Sequence, residues 1–287
     1  MSYQSILQAG SFNNRNIIVT GGGSGIGRCT AHELASLGAN VFLIGRNKEK
    51  LQTVKDEILA DGGQAAFFCC DIRQEVDVKD LVDKIIDQYG QIDGLVNNAG
   101  GQFPAPLSKI SKNGWDAVIS TNLTGGFLMA REVFNQSMSK NGGSIVNIVA
   151  DMWGGMPGMG HSGAARAGMA NFTQTAAYEW GHAGVRVNAV APGWIASSGM
   201  DTYPDDFKVV LKSLKKAVPL GRLGNEAEIS STLCFLLSDA ASYISGTVIR
   251  VDGAASQGNT AIYPLKKADN LKPYKGFHRE VEPELFK

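Results

Sequence analysis

No stretch of the 287 residues stays apolar long enough to cross a bilayer, and the opening "MSYQSILQAGSFNNR" has no basic region followed by an apolar run. Membrane insertion and export are therefore not expected. The closing "EPELFK" lacks a Ser-Lys-Leu address, so the expected location is cytoplasmic. Net charge is missing too. The 27 Lys plus Arg balance 27 Asp plus Glu, leaving no overall field to draw the chain to nucleic acid or an anionic membrane. A small-molecule partner is expected instead. Cysteine is sparse: Cys29, Cys69, Cys70 and Cys234 form no C-x-x-C array, which argues against a structural metal site of that kind. All four lie in apolar runs such as "AAFFCCD" and read as reduced core residues.

What is plentiful is glycine, 35 residues, in a chain that is 44% hydrophobic and 19% charged. That balance fits a large buried core and no disordered polymer. From Asn16 onward, short β-branched runs alternate with helix-length amphipathic stretches. The strand candidates are "NIIVT" (16–20), "NVFLIG" (40–45), "AAFFCC" (65–70), "GLVNN" (94–98), "SIVNIV" (144–149), "VRVNAV" (185–190) and "TVIRV" (247–251). Seven strands with intervening helices predict one α/β domain over residues 1–287, a doubly wound Rossmann fold on a central seven-stranded parallel sheet. Two segments break the alternation: an insertion at 194–224 and a polar extension at 254–287.

Right-handed crossovers place all strand carboxyl ends on one edge, where ligands bind such sheets. Directly after the first strand stands "TGGGSGIG". Thr20, Gly21, Gly23, Ser24, Gly25, Ile26 and Gly27 thus join a strand to a helix, and their small side chains let the backbone approach a pyrophosphate at the helix N-terminus. The second strand ends in "GRN". There a carboxylate would accept from the ribose 2′-hydroxyl of NAD, whereas a cation meets the 2′-phosphate of NADP. Arg46, with Asn47 adding a hydrogen bond, argues for NADP(H); Lys48 and Lys50 read as solvated helix charges.

Five motifs follow in order, "TGGGSGIG", "CDI" (70–72), "NNAGG" (97–101), "STNLTG" (120–125) and "VNAVAPG" (187–193). Over about residues 14–253 the chain is similar to the short-chain dehydrogenase/reductases. The resemblance implies adenine contact through Asp71, beside Ile72, and nicotinamide-ribose and structural contacts through Asn98, Ala99 and Gly100. It also implies a catalytic-region Asn122, and carboxamide contact through Pro192, Gly193, Ile195 and Ser197. From the residues alone, Asp71 equally suits a helix cap and Asn122 a bond within its own helix.

The same alignment exposes a loss. The family's Tyr, Lys and Ser fall on Ser162, Arg166 and Val149. A serine hydroxyl lacks the acidity of a cation-assisted phenol, and Arg stays protonated. Ser162 and Arg166 nonetheless lie one helical turn apart and can donate hydrogen bonds toward nicotinamide ribose or substrate. Fixed donors suit hydride addition to the β-carbon of an α,β-unsaturated thioester, because charge then develops on the thioester oxygen. "GGQF" (100–103), "TNLTGGFLM" (121–129), "GGSIVNI" (142–148) and "HSGAARAG" (161–168) resemble the peroxisomal-type trans-2-enoyl-CoA reductases and the related 2,4-dienoyl-CoA reductases. That resemblance implies an acyl-CoA substrate, a role in fatty acid metabolism and a homotetramer.

Where the dienoyl reductases carry an acidic tyrosine, this chain has Asp151, and a later Tyr-x-x-x-Lys reads "ANFTQ" (170–174). The proton donor is left open: Asp151 is a candidate where burial keeps it protonated, against a solvated carboxylate, and His161 either donates at the oxyanion or is a satisfied structural histidine. Phe207, Leu211, Leu214 and Val218 recur at helical spacing over 203–218, beside Lys208, Lys212, Lys215 and Lys216. They read as an amphipathic lid over an acyl chain, its lysines toward coenzyme A phosphates, or as a helix packed on the body. Apolar faces in "FTQTAAYEWG" and "STLCFLLS" offer oligomer contacts. The alternatives are an alcohol or carbonyl oxidoreductase acting on a long-chain or terpenoid alcohol, and a non-catalytic NADPH-binding protein.

Overall fold

The computed structural model describes residues 2–258, 264–266 and 270–287. Its first strand, β1 (Asn16–Thr20), is buried along its whole length. Ile17 and Val19 enter one apolar cluster and Ile18 another, so both faces of the sheet are covered. An uninterrupted β-branched run is what a parallel strand between two helical layers requires. In sequence there follow α1 (Gly25–Ser36), β2 (Asn40–Gly45), α2 (Lys48–Ala60), β3 (Gln64–Cys69), α3 (Glu75–Tyr89) and β4 (Gly94–Asn97). The helical segments α4 (Lys112–Ile119), α5 (Gly125–Val133) and α6 (Ser139–Asn141) are joined by π-helical turns over 120–124 and 134–138.

The second half contains β5 (Gly143–Ile148), α7 (Gly160–Trp180), β6 (Val185–Pro192), β7 (Ile195–Ala196), α8 (Asp205–Ser213), β8 (Gly224–Asn225), α9 (Glu226–Leu237) and β9 (Val248–Val251). Seven strands form one parallel sheet in the order β3-β2-β1-β4-β5-β6-β9, and β7 pairs separately with β8. The chain travels outward from β1 to β3 and returns to start again at β4. That reversal opens a crevice above the carboxyl ends of β1 and β4, and the glycine-rich turn sits there.

Four expectations change in detail. Cys69 is exposed, because it ends β3, whereas Cys29, Cys70 and Cys234 are buried. Leu233, Cys234, Leu236 and Leu237 of α9 are spent on the cluster they share with Leu34 of α1, so "STLCFLLS" presents no open apolar face. The 203–218 segment is a shorter helix, α8, followed by a 3-10 turn at Leu214–Ala217. The extension returns to the body: Phe277 packs with Tyr3 and Cys29, and His278 and Arg279 both bond Asp61, at 2.9 and 2.8 Å. Residues 259–263 and 267–269 of that extension lie outside the described residues.

Candidate active site

The nucleotide end is built by close backbone approach. Gly21 adopts φ +67°, and a Cβ on Gly27 would stand 2.4 Å from the Gly21 carbonyl and 2.5 Å from Asn98 Nδ2. Side chains are therefore sterically refused here. Thr20 closes the joint: its Oγ1 accepts from the Asn98 and Ala99 amides, both at 3.0 Å, and donates to the Val96 carbonyl. Asn98 Nδ2 answers with 2.9 Å to the Thr20 carbonyl. Thr20 and Asn98 thus lock the ends of β1 and β4 together, and Thr20 is itself buried. Ser24 precedes α1 without a side-chain cap, leaving the first-turn amides of that helix for an anion.

A cleft of about 240 Å³ runs from this turn past Gly23, Ser24, Arg46, Asn47, Asp71, Ile72, Ala99 and Gly100. Asn47 caps α2 by accepting from the Lys50 amide at 2.8 Å, so its oxygen is engaged while its NH₂ is left to donate. Asp71 accepts from Arg73 Nε at 2.8 Å, and this pairing, with help from Arg46, holds its carboxyl below the usual carboxylate range. Arg73, which was not singled out from the sequence, also lines the cleft, as does Lys50, expected there to be a solvated helix charge. A bare glycine turn, an uncapped helix start and three cations fit the phosphates of a dinucleotide. Gly21, Ser24 and the α1 amides would hold the pyrophosphate, with Arg46, Lys50 and Arg73 around the ribose end.

On the far side of Gly100 lies a larger cavity of about 540 Å³, whose lining includes Ile26, Asn98, Asp151, Arg166, Pro192, Gly193, Ile195, Ser197 and Tyr203. Three side chains fix the loop that divides the two spaces. Asn122, pushed inward by the π-helical turn it occupies, accepts from the Gly101 amide and donates to the Gly101 carbonyl, both at 2.9 Å. Arg166 lies against Gly100, where a Cβ would meet its Nη2 at 2.6 Å. Ser162 Oγ donates 2.7 Å to Gln102 Oε1, and Gln102 Nε2 donates 3.0 Å to the Tyr203 hydroxyl.

Arg166 is half-buried, with Nη1 donating 2.6 Å to the Ile148 carbonyl and Nε sealed from solvent without a hydrogen-bond partner. Burial brings its pKa down to about 10, so it remains a cation at neutral pH. Asp151 is half-buried; burial first and neighbouring Asp252 second raise its pKa, while Arg250 opposes them.

Of the five residues expected to act on substrate, Arg166 and Asp151 line the cavity. His161 and Ser162 are fully buried and do not, and Asn122 is spent on Gly101. His161 Nδ1 accepts from the Ser162 amide at 2.9 Å, its ring meets Phe103 edge-on at 4.4 Å, and its Nε2 is sealed without a partner. Gln102 and Tyr203 were missed: one lay inside a quoted motif, the other at the expected start of the lid. Of the lysines expected beside this helix, Lys208 pairs with the exposed Asp205 at 2.9 Å. The apolar face of α8 meets Met200, Leu285 and Phe286.

Fold, glycine turn and cavity together define a nicotinamide-dependent oxidoreductase, and the chain belongs to the short-chain dehydrogenase/reductase family. Residues 21–256 match the family described as enoyl-(acyl carrier protein) reductase. The chain is 40% identical to a probable 2,4-dienoyl-CoA reductase [(2E)-enoyl-CoA-producing] of Bacillus subtilis over 83% of this chain and 94% of that one. It is 36% identical to the 3-oxoacyl-[acyl-carrier-protein] reductase FabG of Staphylococcus epidermidis over 84% of this chain and 98% of that one. Among solved structures, a citronellol catabolism dehydrogenase (AtuB) of Pseudomonas aeruginosa PAO1 superposes with a TM-score of 0.81 and 61% identity, covering 89% of this chain and all of that one.

Proposed function

We propose that the protein is an NADPH-dependent reductase of α,β-unsaturated acyl thioesters. The observation that carries this reading is the replacement of an acid–base pair by a fixed cation: Ser162 is turned away into Gln102, and Arg166 presents a guanidinium to the cavity. A positioned cation stabilises an enolate oxygen without having to exchange a proton with it. When bound, the nicotinamide supplies the hydride. Arg166 then meets the negative charge, Asn122 and Gly101 keep the dividing loop in register, and Met156, Pro157 and Met159 line the cavity with apolar surface for a chain. The preference for NADPH rests on Arg46, which stands after β2 where NAD-binding relatives of this fold place a carboxylate, with Lys50 and Arg73 on the same cleft. We place the protein in the cytoplasm as a homotetramer on family resemblance.

A second reading is supported by the 61% identity to the citronellol catabolism dehydrogenase: oxidation of an acyclic terpenoid alcohol. The two separate in one assay, which follows nicotinamide absorbance with NADPH plus trans-2-hexenoyl-CoA, NADPH plus acetoacetyl-CoA, and NADP⁺ plus citronellol. Oxidation with the enoyl thioester alone bears out the first reading. Reduction of NADP⁺ by citronellol alone establishes the second, and turnover of acetoacetyl-CoA alone replaces both with ketone chemistry. NADPH binding with no turnover in any reaction leaves a binding protein or a different substrate.

A further inference from the structure

Ser162 occupies the place of the family phenol, and its hydroxyl is consumed inside the protein. The amide that consumes it has two ends. Gln102 Oε1 accepts from Ser162, while Nε2 donates to the oxygen of Tyr203 at 3.0 Å. In that second bond the phenol accepts, so its own O–H is left to donate. Tyr203 is half-buried and lines the cavity together with Gln102, Asp151 and Arg166; it is the only phenol among the described residues that do so. Its ring packs on Phe207 at 5.2 Å, and the turn bearing it is held from below, where Asp201 accepts from the Glu284 and Leu285 amides.

We propose that Tyr203 is the proton donor of the reaction, carried into the cavity by the lid segment and oriented there by Gln102 and Ser162. The proposal rests on the reading of the site as an enoyl thioester reductase with a reduced nicotinamide as the hydride source. Hydride addition at the β-carbon breaks the C=C π bond and leaves an electron pair shared between the α-carbon and the thioester oxygen, against Arg166. The Tyr203 O–H bond then breaks. Its proton forms the new C–H bond at the α-carbon, and its electron pair stays on the phenol oxygen, where the Gln102 N–H stabilises it. Water in the open cavity returns the proton.

Gln102 is a positioning residue in this scheme, with Ser162 fixing which end of its amide faces Tyr203. If the hydroxyl of Ser162 donates to Oε1, the NH₂ must face the phenol, which is the orientation that favours phenolate formation. His161 is excluded as the donor by its burial outside the cavity, and its ring serves Phe103 and the Ser162 amide.

The test compares wild type, Tyr203→Phe and Gln102→Leu with NADPH and trans-2-hexenoyl-CoA. Tyr203→Phe should lose about 100-fold or more in kcat, the lower end of what a positioned general acid contributes, while NADPH affinity by fluorescence stays within about threefold. Independently of turnover, absorbance at 295 nm follows phenol ionisation, and the step missing from Tyr203→Phe identifies residue 203. That step should move to higher pH in Gln102→Leu, because the N–H that stabilises the phenolate is gone. A Tyr203→Phe enzyme within threefold of wild-type turnover overturns the proposal, as does a 295 nm step unmoved by Gln102→Leu. A wild type that oxidises NADPH with no enoyl thioester overturns the underlying reading and the proposal with it, and is told apart because it needs no variant.

Discussion

Arg166 donates 2.6 Å to the carbonyl of Ile148, and no carboxylate among the described residues pairs with it. A cation aimed into a cavity without a partner is costly in the free protein, and the cost is relieved when an electron-rich oxygen arrives. Arg166→Ala should therefore reduce turnover of trans-2-hexenoyl-CoA by at least about tenfold, a floor below the roughly 100- to 1000-fold lost when a fixed donor to a developing oxyanion is removed. Steady-state kinetics decide it. Near-normal kcat would remove Arg166 from the chemistry.

Arg46 stands at the carboxyl end of β2, beside Lys50 and Arg73 on the cleft. Replacing it with Asp puts a carboxylate where a 2′-phosphate would lie and offers an acceptor to a 2′-hydroxyl instead. The ratio of kcat/KM for NADPH over NADH should fall by at least about tenfold, roughly 1.4 kcal/mol. An unchanged ratio would place the phosphate elsewhere.

Asn122 spends both halves of its amide on Gly101. Asn122→Ala removes two hydrogen bonds to the exposed Gly101, at about 0.5–1.5 kcal/mol each because water can replace the lost partner, and frees the loop that carries Gln102. Lower thermal stability and weaker activity are expected together, with NADPH affinity less affected than turnover. A variant as stable and active as wild type would contradict the clamp.

Glu226 begins α9, is buried, and stands near the glycine-rich turn, 3.9 Å from where a Cβ of Gly25 would be. Burial raises its pKa from 4.5 to about 7 against the opposing effect of Arg28. In the unfolded chain the carboxyl ionises above 4.5, while the folded one keeps its proton to about 7. Its contribution to stability is thus full below pH 4.5 and is lost as pH rises through 7, amounting to about 3 kcal/mol. Glu226→Gln should be stabilised relative to wild type at pH 8 more than at pH 4.5. Thermal melts at the two pH values check this, and equal differences would refute it.

The sheet was legible because its strands are unbroken apolar runs that both helical layers demand, and the glycine turn because backbone contact at Gly27 leaves no other residue room. Cys69 was misjudged for a physical reason: an apolar neighbourhood in sequence does not say which face of a strand end meets solvent. Arg166 could be placed through the family resemblance, which aligns it with the family's Lys. Gln102 and Tyr203 could not, since they lie 101 residues apart and meet only because the turn before α8 packs against the dividing loop. Ser162 is expected from the sequence to donate toward ribose or substrate, whereas in the structure its acceptor is the Gln102 side chain, which no local pattern reveals.

The turn that carries Met200 and Tyr203 is supported from below by the distant segment 284–286. Leu285 and Phe286 pack with Met200, Leu211, Tyr203 and Phe207, and Asp201 bonds two of that segment's amides. Substitutions there would tilt the roof of the cavity without altering any residue that lines it. Among relatives, divergence in substrate range is accordingly expected to involve this remote anchor as well as the pocket, and a directed-evolution campaign confined to the lining would overlook it.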